Sequence, residues 1–112
     1  MSRNMSKKLE KTLRQFAGAA YERELSSATR ALQEQFVRWE NKEIDIFELN
    51  EKIHEFHNGI SRTLYSRYVG MDAAFGVASA LNRGILSREE VGEDVLLSVE
   101  GIVLSLSSVW SK

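Results

Sequence analysis

The sequence predicts an all-α protein of four to five helices with a long N-terminal helix, a bundle completed by dimerisation. Three observations carry the prediction. There is no proline, few segments alternate with the period of two that a half-buried strand needs, and apolar residues recur at three- and four-residue spacings between glycines. With 112 residues and 43% hydrophobic content, residues 1–112 suit one domain with one core.

From Ser6 to about Glu40 only Gly18 interrupts good helix formers. Such a helix is roughly 52 Å long at 1.5 Å per residue, against about 34 Å for the diameter of a compact domain of this size. It must break or overhang. Leu9, Leu13, Phe16 and Ala20 share one face, whereas Tyr21, Leu25, Ala28, Leu32, Phe36 and Trp39 share a face rotated by about 100°. The phase jump falls on Ala17–Ala20, a small-residue patch able to kink the helix or admit a neighbouring backbone. A continuous helix would place its first stripe against a second subunit, since a single domain would otherwise leave that stripe wet.

The next segment, Asp45 to Tyr68, opens with Asp45 as N-cap, Glu48 in position to close a capping box, and Ile44 and Leu49 spaced as a hydrophobic staple. Leu49, Ile53, Phe56, Ile60 and Leu64 form its expected core arc. Gly70 then supplies a stop, and Asp72 caps a helix reaching about Arg83, closed by Gly84. The small residues of that helix, Ala73 to Ala80, mark it as internal. Ser87 with Glu90 gives a second capping box, stapled by Leu86 and Val91, and Gly92 ends the turn. The last helix, about Glu93 to Trp110, has a broad apolar face built on Leu96, Val99, Val103, Leu106 and Trp110. Val95, Ile102 and Val109 flank that face and Leu97 and Leu104 widen it, so this helix is either central to the bundle or intersubunit.

Candidate chemistry concentrates on a polar and aromatic ridge along the second helix. Asn50, His54, His57, Ser61, Tyr65 and Tyr68 step by three or four residues beside the core arc, with Arg62 next to them, and form the expected ligand-binding strip. Glu51 and His54 have the i, i+3 spacing of bundle-type di-iron ligands, so Glu51, His54 and His57, with Glu55, make a metal set only if a dimer supplies the rest. The HEFH string lacks the i, i+4 histidines of zinc proteases. His57 and Ser61 have the spacing of a base and nucleophile, but no nucleophile elbow or oxyanion hole accompanies them. Glu48, Glu51 and Glu55 resemble the acidic rows with which helical nucleotide pyrophosphatases hold magnesium, without a clear second acidic pair. Arg62, Arg67, Tyr65 and Tyr68 mix cations with stacking rings, as RNA sites do, on a chain of net charge −1 that has no general basic patch. The one basic run is Arg3, Lys7, Lys8, Lys11 and Arg14 at the N-terminus.

Without cysteine there is no disulfide and no thiolate site, and no apolar run approaches a membrane span or a signal peptide, so a cytoplasmic protein is expected. Nothing implies a cofactor, a catalytic residue, nucleic acid or membrane. The segments FELNEKIHEFHNGISRTLYSRY and ILSREEVGEDV resemble a set of small uncharacterised bacterial helical proteins with no assigned biochemical activity, over most of the chain after Ala20. That resemblance implies no site residues. The sequence therefore leads to a non-enzymatic interaction or structural module, a homodimer or the partner of another helical protein, with metal binding at His54, His57 and Glu51 as the alternative.

Overall fold

The computed structural model describes the backbone of residues 6–110 and the side chains through Ser107. The described residues form helices without a strand: α1 (Lys7–Glu40), α2 (Ile46–Phe56), a π-helical turn (His57–Ser61), α3 (Arg62–Tyr68), α4 (Ala73–Asn82), α5 (Arg88–Val91) and α6 (Glu93–Trp110). Helical dihedrals persist through the junctions at Phe56, Ser61 and Arg62, so α2, the π turn and α3 form one rod, and the described residues form five rods. Among the described residues no helix is long and apolar enough to cross a membrane.

Local signals explain where these helices begin. Ser6, Asp45, Asp72 and Ser87 are extended N-cap residues whose side chains accept from the backbone N–H three residues on. At Ser87 the Glu90 carboxylate accepts the return bond at 2.7 Å, completing the expected capping box. Asp45 caps in one direction, accepting from Glu48 N–H at 2.8 Å. Both staple pairs, Ile44 with Leu49 and Leu86 with Val91, are buried.

The ends are more varied. At the end of α4, Ile85 N–H reaches Ala80 C=O and Gly84 N–H reaches Leu81 C=O, a Schellman motif with Gly84 at φ 76°. Glu43 and Lys42 make the same two bonds to Arg38 and Trp39, so α1 ends identically with Lys42 at φ 63°. Gly70 has no positive φ. A Cβ there would lie 2.9 Å from Ser66 C=O, so the backbone that closes α3, with Gly70 N–H reaching Tyr65 and Ser66 C=O, suits glycine alone without adjustment.

Helix α1 is continuous through Gly18, and the first stripe does not need a second subunit. Leu13, Ala17 and Ala20 are buried in the main core with α4 and α6, with Leu9 and Phe16 packed against it. The reason is the small-residue surface of α4: a Cβ on buried Gly76 would stand 3.8 Å from the Ala17 Cβ, so the two backbones approach closely. Val95, Val99 and Val103 of α6 close this core, whereas Leu97 and Leu104 point outward at 67% and 62% exposure. Helix α6 is thus central through one face only; the side chains of Val109 and Trp110 lie outside the described residues.

It is the other half of α1 that overhangs. There the chain packs against α2, the π turn and α3, producing a molecule 59 × 32 × 24 Å with a radius of gyration of 17.5 Å, against about 13 Å for a compact chain of this length. Leu49 and Leu64 are fully buried in this half and Ile53 and Phe56 partly so, but Ile60 is 42% exposed. The π turn explains the misplaced Ile60. It inserts an extra residue, so the regular 100° phase that puts Ile60 on the core arc is lost between Phe56 and Leu64.

Candidate functional site

The π turn also divides the ridge. Before or within it, Asn50, His54 and His57 are exposed and Ser61 is half-buried; after it, Arg62 and Tyr65 are exposed and Tyr68 turns inward. A strip that a uniform helix would keep in line is therefore split into an outer histidine part and an inner tyrosine. Glu51 and Glu55 are exposed, and Glu55 lies 3.8 Å from Lys52. Among the described residues no three His, Asp or Glu side chains are grouped to hold a metal ion.

Tyr68 is the exception to this dispersal. Its ring stacks on Tyr21 of α1 at a 5.4 Å centroid distance and 19° between planes, and it lies close to Gly76, where a Cβ would stand 3.2 Å from Tyr68 Cδ1. Its hydroxyl donates to Glu24 Oε2 at 2.5 Å and accepts from Arg83 Nη2 at 3.0 Å. The Arg83 guanidinium grips both Glu24 oxygens, Nη1 to Oε1 at 2.7 Å and Nη2 to Oε2 at 2.9 Å, while its Nε donates to Ser79 Oγ at 3.1 Å. Arg67 adds a weaker contact to Glu24 Oε1 at 3.4 Å.

The electrostatics follow from this geometry. Burial works to raise Glu24, but the hydrogen bonds from Arg83 and Tyr68 and the charges of Arg83 and Arg67 outweigh it and leave the carboxylate below its ordinary range. Burial and the bond to the Glu24 carboxylate push the Tyr68 phenol up to about 12. The hydrogen bond to Glu24 raises Arg83 further. The result is an ionised carboxylate, a neutral phenol and a permanent cation, each already occupied by the others. Such a cluster is a poor base and a poor acid near neutrality. Its evident work is to lock α3 and α4 onto α1.

An adjacent residue makes a second tie on the surface. Arg23 donates to Ile85 C=O at 2.8 Å and to both Glu90 oxygens at 2.6 and 2.9 Å, joining α1 to the capping box of α5. The hydrogen bonds from Arg23 and from Ser87 N–H lower Glu90 to about 2. Comparison with known proteins adds no function: no family model, curated protein or solved structure matches the chain.

Of this cluster the ridge contains only Tyr68; Glu24 and Arg83 are functional groups that the ridge pattern misses. A signal for Glu24 was present, since it interrupts the stripe of Tyr21, Leu25 and Ala28 one position before Leu25. A carboxylate this far withdrawn from water is stabilised by a cation, and Arg83, half-buried next to the Gly84 stop, supplies it.

Proposed function

We propose that this is a non-enzymatic protein–protein interaction or structural module that acts as a homodimer. The observation that carries the reading is where the large apolar side chains stand. Phe36, Trp39, Ile46, Phe47 and Ile60 of the overhanging half are exposed, Phe47 by 77%, while the main polar cluster is closed upon itself. Aromatic residues left outside a core are the common currency of protein interfaces.

Surface area supports the same reading. The accessible surface is 7671 Å², where a compact monomer of this mass has about 6,200 Å². The excess, about 1,400 Å², reflects the elongated 59 × 32 × 24 Å shape and leaves room for the roughly 800 Å² that each partner contributes to a stable interface. Light scattering at micromolar concentration tests the proposal: a mass near twice 12.7 kDa is expected, and a mass near 12.7 kDa overturns it.

A further inference from the structure

We infer that the side of the α1/α2 hairpin is half of a four-helix bundle, completed by a second copy whose α1 runs antiparallel about Gln35; this rests on the homodimer reading above. The docking face is a shallow groove of about 420 Å³ with Ala28, Ala31 and Gln35 on one wall and Phe56 and Ile60 on the other. Ala28, Ala31, Gln35 and Trp39 follow 3, 4, 4 spacing and share one side of α1. That side is small at one end and bulky at the other. An antiparallel pairing centred on Gln35 sets each Trp39 at the level of the other copy's Ala31, the large-into-small fit that an isologous interface requires.

Charge selects a second copy as the occupant. About the same centre Arg38 stands two residues, about 3 Å along the axis, from the other copy's Glu34, an offset that two long side chains span once Arg38 leaves its exposed contact with Glu43 at 3.5 Å, giving two symmetric opposite-charge contacts. The Arg38 guanidinium already leans over this stripe, donating from Nη1 to Gln35 Oε1 at 3.1 Å. Lys52 and Glu55 on the α2 rim also mix signs. The other outward apolar stripe, Leu97 and Leu104 of α6, is flanked by Glu93, Asp94 and Glu100 on a helix without a Lys or Arg. Two copies meeting there would bring together three acids each, with Lys8 of α1 the base beside Leu97.

The native chain has no cysteine, so single-cysteine variants read the contact directly. Gln35→Cys, near the two-fold axis and within the 4.4–6.8 Å Cα separation of a disulfide, is expected to form a covalent dimer under mild oxidation, and Leu97→Cys is not. Ala31 is exposed, so Ala31→Glu keeps the helical fold by circular dichroism while weakening dimerisation by at least about tenfold. Glu34→Arg weakens the dimer, and adding Arg38→Glu restores it. A wild-type monomer by light scattering overturns both the inference and the homodimer reading. A wild-type dimer that persists in Ala31→Glu, or that crosslinks through Leu97→Cys instead of Gln35→Cys, overturns the inference and leaves the homodimer reading intact.

Discussion

Replacing Glu24 by alanine removes the centre of the Tyr68–Arg83 cluster and leaves a guanidinium and a phenol without their main partner. The side chains of Glu24 and Arg83 are 12% and 23% exposed, so water replaces the lost bonds only in part. Breaking a buried ion pair by removing one partner costs about 3–5 kcal/mol, and the residual solvent access here brings the expectation to about 2–3 kcal/mol. At about 2.1 cal/mol/K of unfolding entropy per residue, that lowers the melting temperature by about 10 °C. Glu24→Gln keeps the shape and part of the bonding and costs less. Melts must be compared at one protein concentration, because association couples to stability. The pH dependence supplies a second readout. Glu24 is depressed in the folded state, so its stabilisation is fully present above the ordinary value of 4.5 and is lost as pH falls below it through the folded value. The gap between wild type and Glu24→Gln therefore narrows below about pH 4.5. An alanine variant melting within about 2 °C of wild type, or a glutamine gap that stays constant on acidification, would refute the cluster's role.

At the alkaline end the sign reverses: Tyr68 is raised from 10.0 to about 12, so the stability it contributes is complete below pH 10 and disappears as pH rises through about 12. Tyrosinate absorbance should show a late step near pH 12 that Tyr68→Phe deletes. Gly76→Ala puts a Cβ 3.2 Å from a ring already held by Tyr21; overpacking exceeds the gain in helix propensity, and urea denaturation should show a net loss of about 1–2 kcal/mol. Lys42→Gly relieves an L-residue of its positive φ in the α1 cap and should stabilise by about 1 kcal/mol, whereas an unchanged or lower midpoint would mean that the lysine side chain earns its place. Zinc, manganese and ferrous iron should leave the melting temperature unmoved in wild type and in the His54→Ala/His57→Ala variant alike; a metal-dependent rise confined to wild type would restore the metal reading.

The fold was legible wherever a residue type carries its own geometry. Asp72 and Ser87 announce helix starts because their short side chains reach a backbone N–H, and Gly84 announces an end because glycine tolerates positive φ. The matching end of α1 was invisible as a motif, since Lys42 adopts the same backbone without the residue that advertises it. The π turn was invisible for a deeper reason. Its sequence, HNGIS, holds the weak helix formers Asn58 and Gly59, which signal a break or turn but not a π turn, and one inserted residue suffices to carry Ile60 out of the core arc and Tyr68 into a polar cluster. Periodicity also found two stripes on α1 without naming their partners. A size estimate then assigned the wrong half to solvent, because it could not include how closely Gly76 lets α4 approach Ala17.

The candidate site shows the same limit. A ridge of histidines and tyrosines is conspicuous in sequence because those residue types do chemistry, yet His54 and His57 stand exposed while Tyr68 spends its hydroxyl on Glu24 and Arg83. The informative residue was the ordinary one. Glu24 sits at the edge of an apolar stripe, where an ionised group is tolerated only if a cation from elsewhere meets it, and the bidentate grip of Arg83 meets that requirement. With Arg23 beside it reaching Glu90, two consecutive residues of α1 bind opposite sides of the α4–α5 connection, the first through Ile85 and Glu90 and the second through Arg83. These two polar clusters fix the middle of α1 to α3, α4 and the capping box of α5. On the homodimer proposal, the surface a second copy would cover lies at the other end, where the second half of α1 runs beyond the main core and Phe36, Trp39, Phe47 and Ile60 are exposed.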